Sequence, residues 1–473
     1  MTRSRRYTSL LPSRRYRRAG THACFRRSIA LVALLPLGAC RETPRGQSAA
    51  PAATAAAAET AEPAAAQPTT PQAAAATAEM VRTAWDQYRG PYRDGKSADT
   101  NLLQEWPAEG PPLLWFVDDL GFGYASVAVT DEILYTAGQE NGAATVYALN
   151  SRDGTHIWDR ACGPDWTKTY PGTRSTPTVS GKHLFVMTGQ GRVVCLEQRT
   201  GEIVWAVDTC ARFGARIPDW GMAESLLVAE PFVFCTPGGT EAAVAALDTE
   251  TGATVWTCTD IDGLSAYCSP ILVRRGPTRI VVTLLAKALV GIDADSGRLL
   301  WQHPRDVPYG IHAVSPVYAD GRLYITSGYG GARGELFELS RDGRQIEKRW
   351  SDSLLDCQLG GVIAHRGQLF GASDRNGGGK WICLNMETGA LTAEHPGVGK
   401  GSVAYADGCL YAYGENGQVG LLKADPDSFE LVSSFTINRG SRQHWALPVV
   451  ADGRLYIRHG TALMAYDVRA AAK

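Results

Sequence analysis

A tryptophan closes a short apolar run at Trp115, Trp158, Trp205, Trp256, Trp301 and Trp350, at steps of 43, 47, 51, 45 and 49 residues. No other feature restricts the fold as strongly, because a chain that repeats itself at this interval must stack equivalent units. The tryptophans end a common phrase: VYALNSRDGTHIW (146–158), VVCLEQRTGEIVW (193–205), VAALDTETGATVW (244–256) and LVGIDADSGRLLW (289–301). It weakens at 336–350 and persists without its tryptophan at 381–394 and 419–432. A second phrase alternates with the first, as STPTVSGKHLFV (175–186), SPVYADGRLYI (315–325), GSVAYADGCLYA (401–412) and ALPVVADGRLYI (446–457).

Asp-Gly and Ser-Gly supply the positive φ of tight hairpins, and the β-branched and aromatic residues around them suit strands. The stretch 289–325 therefore reads as four short strands cut by turns, the length of one propeller blade. The last copy, 446–468, holds three strands, and the first folded stretch, 112–115, is an orphan fourth. Joining them closes a ring and removes the open edge that invites aggregation. The expected fold is all-β: an eight-bladed β-propeller of four-stranded blades, closed by pairing an N-terminal strand with the C-terminal blade. The recurring tryptophans are assigned to packing between blades, each burying on the order of 150–250 Å².

The N-terminus reads differently. Basic pairs at Arg14-Arg15, Arg17-Arg18 and Arg26-Arg27 precede a short apolar run, 29–37, that ends in Leu37-Gly38-Ala39-Cys40. That run is too short to span a bilayer and reads as a signal peptide. Small residues before a cysteine resemble a bacterial lipobox, which makes Cys40 the expected lipidation site. Arg26-Arg27-Ser28-Ile29 resembles a twin-arginine export signal less closely. Residues 40–80 are mostly Ala, Pro, Thr, Gln and Glu and lack the apolar mass to order themselves, so they read as a flexible tether. The expected organisation is a signal peptide over 1–39, the tether over 40–80, an extension packing on the propeller over 81–111 and the propeller over 112–470. Export, a lipid anchor and a periplasm-facing body follow, and Arg41 rather than Asp after the cysteine points to the outer membrane where lipoproteins are sorted by that residue.

Residues 1–39 hold nine arginines and no acid, so the net charge of −1 for the whole chain becomes about −10 without them. An acidic body argues against nucleic acid as a partner and against a polybasic membrane patch. Beyond Cys24 and Cys40 nine cysteines remain, none adjacent and none spaced CxxC. Cys258 and Cys268 flank one loop and are candidates to pair in an oxidising compartment, and the odd number leaves at least one thiol free.

The alternation of aLDxxTGxxxW with SPxxxDGxLY resembles the pyrroloquinoline-quinone-like (PQQ-like) repeat family, and WDQYRGPYRDGKS (85–97) resembles the head of such propellers. That family contains quinoprotein alcohol dehydrogenases and the propeller lipoprotein of outer-membrane barrel assembly, so the resemblance, over about 85–468, implies the fold more than an activity. The dehydrogenases are similar in using Ca²⁺ or a lanthanide on carboxylate and amide oxygens, an Asp base, a Trp floor and a disulfide between adjacent cysteines. This chain has no adjacent cysteines and no CxxCH haem sequence. The expectation is a non-catalytic, monomeric binding or scaffold module without a cofactor. The competing reading is an alcohol dehydrogenase dependent on PQQ and Ca²⁺.

Where the turns are uniform, the entries to the innermost strands vary. Aligned on the Ser-Pro position, Tyr124, Arg174, Ala223, Tyr267, Ala313, Gln358, Lys400 and Trp445 fall at one equivalent point, with His312 and His444 among the residues just before it. The expected axial funnel holds a polar or anionic ligand, or a protein partner, with Arg174 and Lys400 as charges, Tyr124, Tyr267 and Trp445 as walls, and His312, Gln358 and His444 beside them. The loops 166–174 and 216–224 overhang it, and Asp219 and Glu224 are the best acids for a cation or a base.

Overall fold

In the computed structural model, which describes residues 84–329, 333–374 and 379–471, thirty-two short strands form eight four-stranded antiparallel sheets. The signal peptide, Cys40 and the tether lie outside the described residues. Seven sheets each use four consecutive strands; blade 4, for example, is Ile271–Arg275, Thr278–Leu285, Ala288–Asp293 and Leu299–Pro304. The eighth takes Val449–Ala451, Arg454–His459 and Ala462–Asp467 from the C-terminus and completes itself with Leu113–Val117. Phe116 lies opposite Met464 and Val117 opposite Leu463, so the first strand shuts the ring against the last.

The repeating unit of the sequence is offset by half from the structural blade. Leu289 to Trp301 supplies the outer two strands of blade 4, whereas Val317–Ala319 and Arg322–Ile325 are the inner two of blade 5. Sequence phrases therefore straddle blade boundaries, which is where the tryptophans act. In seven blades the pairing of the two outer strands slips by one residue next to the tryptophan position, as at Ala246/Leu247 opposite Trp256, and the eighth slips beside Trp115. A bulge re-aims the side chain beside it. The indole then reaches the turn of the next blade, where its N–H donates to a backbone carbonyl. Trp158 donates to Gln198, Trp205 to Thr249, Trp256 to Ala294 and Trp301 to Gly343, at 3.0–3.2 Å. The ring lies flat on a turn glycine: a Cβ on Gly252 (φ 68°) would sit 2.6 Å from Trp205, and one on Gly297 (φ 74°) 2.6 Å from Trp256. Only glycine supplies both that φ and that clearance.

Two blades lack the tryptophan: blade 6 has Ala393 at that position and blade 7 has Ser433. In blade 7 the gap is filled from outside the ring: Trp106 of the N-terminal extension packs on Tyr411 and Phe435, with centroids 5.8 and 5.6 Å away, and its backbone N–H donates to Ser433 Oγ at 2.8 Å. Nearer the axis, hydroxyls link neighbouring innermost strands. The Ser126, Thr176 and Ser225 N–H groups donate to Thr176 Oγ1, Ser225 Oγ and Ser269 Oγ, each at 2.9 Å.

The rest of the extension crosses the ring. Trp85 and Asp86 carbonyls accept from Val129 and Val179 in blades 1 and 2; Gly95 and Ser97 pair with Tyr405 in blade 7. Arg93 donates to the Ser225 and Leu226 carbonyls in blade 3, and Arg89 to the Val362 carbonyl in blade 6. Both guanidinium groups are buried and are solvated by carbonyls in place of water. All nine described cysteines are free, so Cys258 and Cys268 do not pair. Each is buried in its own cluster, Cys258 with blade 3 and Cys268 with blade 4.

If the indole clasp holds the ring, Trp256→Ala and Trp106→Ala each lose about 3–5 kcal/mol of stability, the usual cost of truncating a buried aromatic. Urea unfolding of the two variants measures it. A Trp106→Ala variant unfolding with the parent would show that the extension merely rests on the propeller.

Candidate functional site

The entries to the innermost strands converge on a cavity of about 470 Å³. All eight equivalent positions of the repeat line it: the six expected as ligand contacts, Tyr124, Arg174, Tyr267, Gln358, Lys400 and Trp445, and the small residues Ala223 and Ala313. Among the further residues of the cup, five are aromatic or charged. Tyr170 and Trp220 come from the overhanging loops, Tyr329 and Glu415 from other strand ends, and Tyr88 from the extension. None of these five stands at the aligned position, so alignment of the copies does not single them out.

Two aromatic groups face the space. Trp445 packs against Tyr124 and Tyr170, with centroids 4.9 and 5.0 Å apart, and Trp220 packs against Tyr267 at 6.0 Å. Tyr124 donates its hydroxyl to Gln443 at 2.9 Å. Burial raises the phenols of Tyr124 and Tyr329 and pushes Tyr267 up to about 12, so the walls remain neutral at physiological pH. Tyr170 and Tyr267 hold φ of 53° and 72°, and Tyr309 and Arg442 on adjoining loops hold 64° and 72°. For bulky residues this left-handed backbone is strained, and such strain concentrates at binding sites.

The two cations differ. Arg174 lies 5.4 Å over the Tyr124 ring and donates to the carbonyls of Tyr170 and Gly172 at 2.7 and 2.9 Å. Among the described residues no carboxylate lies within ion-pair distance of it. Lys400 is already neutralised: it reaches Asp374 at 2.8 Å, Glu415 at 3.2 Å and Gln358 Oε1 at 2.5 Å. Burial alone would lower its pKa, but the two carboxylates outweigh that and raise it. Of the two cations expected to face an anion, Lys400 is therefore already matched, and Arg174 has no carboxylate partner among the described residues.

Several expected site residues lie elsewhere. His312 and His444 sit one residue before the lining positions, and alternation along an extended chain turns them away from the axis. His312 is fully enclosed, and burial holds it neutral, with its pKa lowered to about 3. His444 stacks on His459 at 3.6 Å, and its Nδ1 is 2.6 Å from the Tyr413 hydroxyl. Asp219 is exposed on its loop and does not line the cup. Glu224 is buried behind it, accepting from the Thr236 N–H at 2.9 Å, and burial pushes its carboxyl up to about 8 against the opposing pull of Thr236 and Arg93. No group of three or more His, Cys, Asp or Glu suited to a metal occurs among the described residues.

Ca²⁺ with a quinone does not fit this donor set. The cation needs six to eight oxygen ligands, but Glu415, which lines the cup, and Asp374 beside it are both ion-paired to Lys400. The extension's contribution to the lining is Tyr88.

Glu224 gives a pH test. A glutamate in the unfolded chain titrates near 4.3, whereas the folded protein keeps this proton to about 8. Between those values the folded state binds more protons than the unfolded one, so stability falls as pH rises, by up to about 1.4 kcal/mol per unit. Glu224→Gln removes this contribution, and its advantage in urea midpoint over the parent grows from pH 5 to pH 8. A constant difference across that range would contradict the assignment.

Comparison with known proteins follows the architecture. A family model described as outer membrane protein assembly factor BamB matches residues 142–392. Proteins of that name from Shigella dysenteriae and Yersinia pestis are 26% identical over 342 residues and 25% identical over 263 residues. These alignments cover 62% and 53% of this chain; it spans 82% of the Shigella protein but only 59% of the Yersinia one. Among solved structures, BamB from Moraxella catarrhalis aligns with a TM-score of 0.54 at 16% identity, over 74% of this chain and 95% of that one. The quinohemoprotein alcohol dehydrogenase from Comamonas testosteroni aligns with a TM-score of 0.62 at 12% identity, over 83% and 81%. Identities this low show the fold alone.

Proposed function

Since this chain belongs to the family of the outer membrane protein assembly factor BamB, we propose that it is an exported, lipid-anchored propeller that acts in the bacterial envelope as a non-catalytic scaffold. Its relatives' name points to assembly of outer-membrane proteins, and the sequence supports the location through the lipobox-like end at Cys40 and the long tether after it. The tether lets a rigid ring work at a distance from the lipid.

One observation carries the choice of working face. On the funnel side, connecting loops present Tyr309 and Tyr170 at 82% and 43% exposure, both held in left-handed backbone. Exposed tyrosines on rigid loops supply large contact area at little entropic cost and are enriched at protein interfaces. The opposite end of the axis is spanned by the extension, whose arginines are consumed by the ring's own carbonyls.

Two tests follow. Cys40→Ser should lose incorporation of labelled palmitate and leave the membrane fraction; a labelled, membrane-bound variant would exclude lipidation at this cysteine. A photo-crosslinking amino acid at position 309 or 170, in the native host, should capture an outer-membrane assembly protein. The same probe at position 391, on the exposed outer strand of blade 6, should not. Capture only from position 391 would move the interface to the rim of the ring.

A further inference from the structure

We propose that the axial cup is a binding site for an acidic sugar: a pyranose ring bearing one carboxylate, free or at the end of a short glycan. The cup combines two chemistries that few ligands use together. Ring faces stand on two sides, Trp445 with Tyr124 and Trp220 with Tyr267. Between them lie fixed hydrogen-bonding groups: Lys400 with Glu415 and Gln358. A pyranose presents apolar C–H faces above and below the ring and hydroxyls around its edge, and so matches stacked walls with polar groups between them. A flat aromatic acid would engage the walls but bring no ring of hydroxyls to the spare donor and acceptor capacity of Gln358 and Glu415.

Charge sets the carboxylate. Lys400 is matched by Asp374 and Glu415, so that cluster repels a second anion and suits neutral hydroxyls. Among the described residues Arg174 has no carboxylate partner, and two carbonyl bonds leave other N–H groups of its five-donor fork for a ligand carboxylate. One unpaired guanidinium calls for one anionic group. A polyanionic ligand would meet Glu415 and Asp374. The volume, about 470 Å³, falls in the range of small-molecule sites.

The inference rests on the funnel being the working face and not on which protein the rim loops meet, so crosslinking from position 309 would survive its failure. Calorimetric titration of the full folded chain decides it. The probes are D-glucuronate, N-acetylmuramate and the disaccharide of N-acetylglucosamine and N-acetylmuramate, against D-glucose, N-acetylglucosamine and para-hydroxybenzoate. At least one acidic sugar should bind more tightly than every control. Tighter binding of the disaccharide than of either monosaccharide identifies a glycan end, and the reverse a free sugar acid. Arg174→Gln should weaken the acidic sugar at least about tenfold, the loss of a charge-assisted bond, while leaving glucose unchanged. Because Arg174 also braces its loop, Trp220→Ala serves as the second variant and should weaken acidic and neutral sugars alike without lowering the melting temperature. Tighter binding of para-hydroxybenzoate, or no heat from any sugar, would overturn the proposal.

Discussion

An indole laid on the turn of the next blade is the contact on which this ring depends. Each repeat alone has an uncovered side, and a sheet of four short strands has little independent stability. The tryptophan joins one blade to the next by two means at once, apolar area over a turn glycine and an N–H bond to a carbonyl that would otherwise face the interior. Both partners are needed. A side chain on Gly252 would clash with the indole, and the positive φ there would strain any other residue. Local turn chemistry and long-range assembly are thus one constraint, which is why the phrase returns so regularly along the chain.

That coupling explains how much was legible in the sequence. The number of blades, the Asp-Gly and Thr-Gly turns and the borrowed fourth strand all follow from spacing, because each copy states the same local requirement. Trp106 illustrates the limit: the absence of tryptophan at Ser433 is plain in the repeat, but the residue that replaces it comes from more than 300 positions away and carries no periodicity. Tyr88 is hidden for the same reason.

At the cup, alignment of the copies found the lining positions, since one register places one residue of every blade at the axis. The same register misled one residue earlier, where His312 and His444 face into the blades. Charge was less legible still. That Lys400 is bound by Asp374 and Glu415, and Arg174 by no carboxylate among the described residues, depends on loops of neighbouring blades, which no repeat pattern encodes.

The picture is of a ring specified by uniform residues, a cup made from the variable ones, and a floor supplied by the extension. Hydrogen exchange on the full chain tests it most directly. The amides of Gly95 and Ser97, with Tyr405 to which they are joined, should exchange as slowly as the innermost strands, while the loops 166–174 and 216–224 exchange early. Rapid exchange over 84–97 with the blades still protected would contradict it, since the cup would then have no fixed floor.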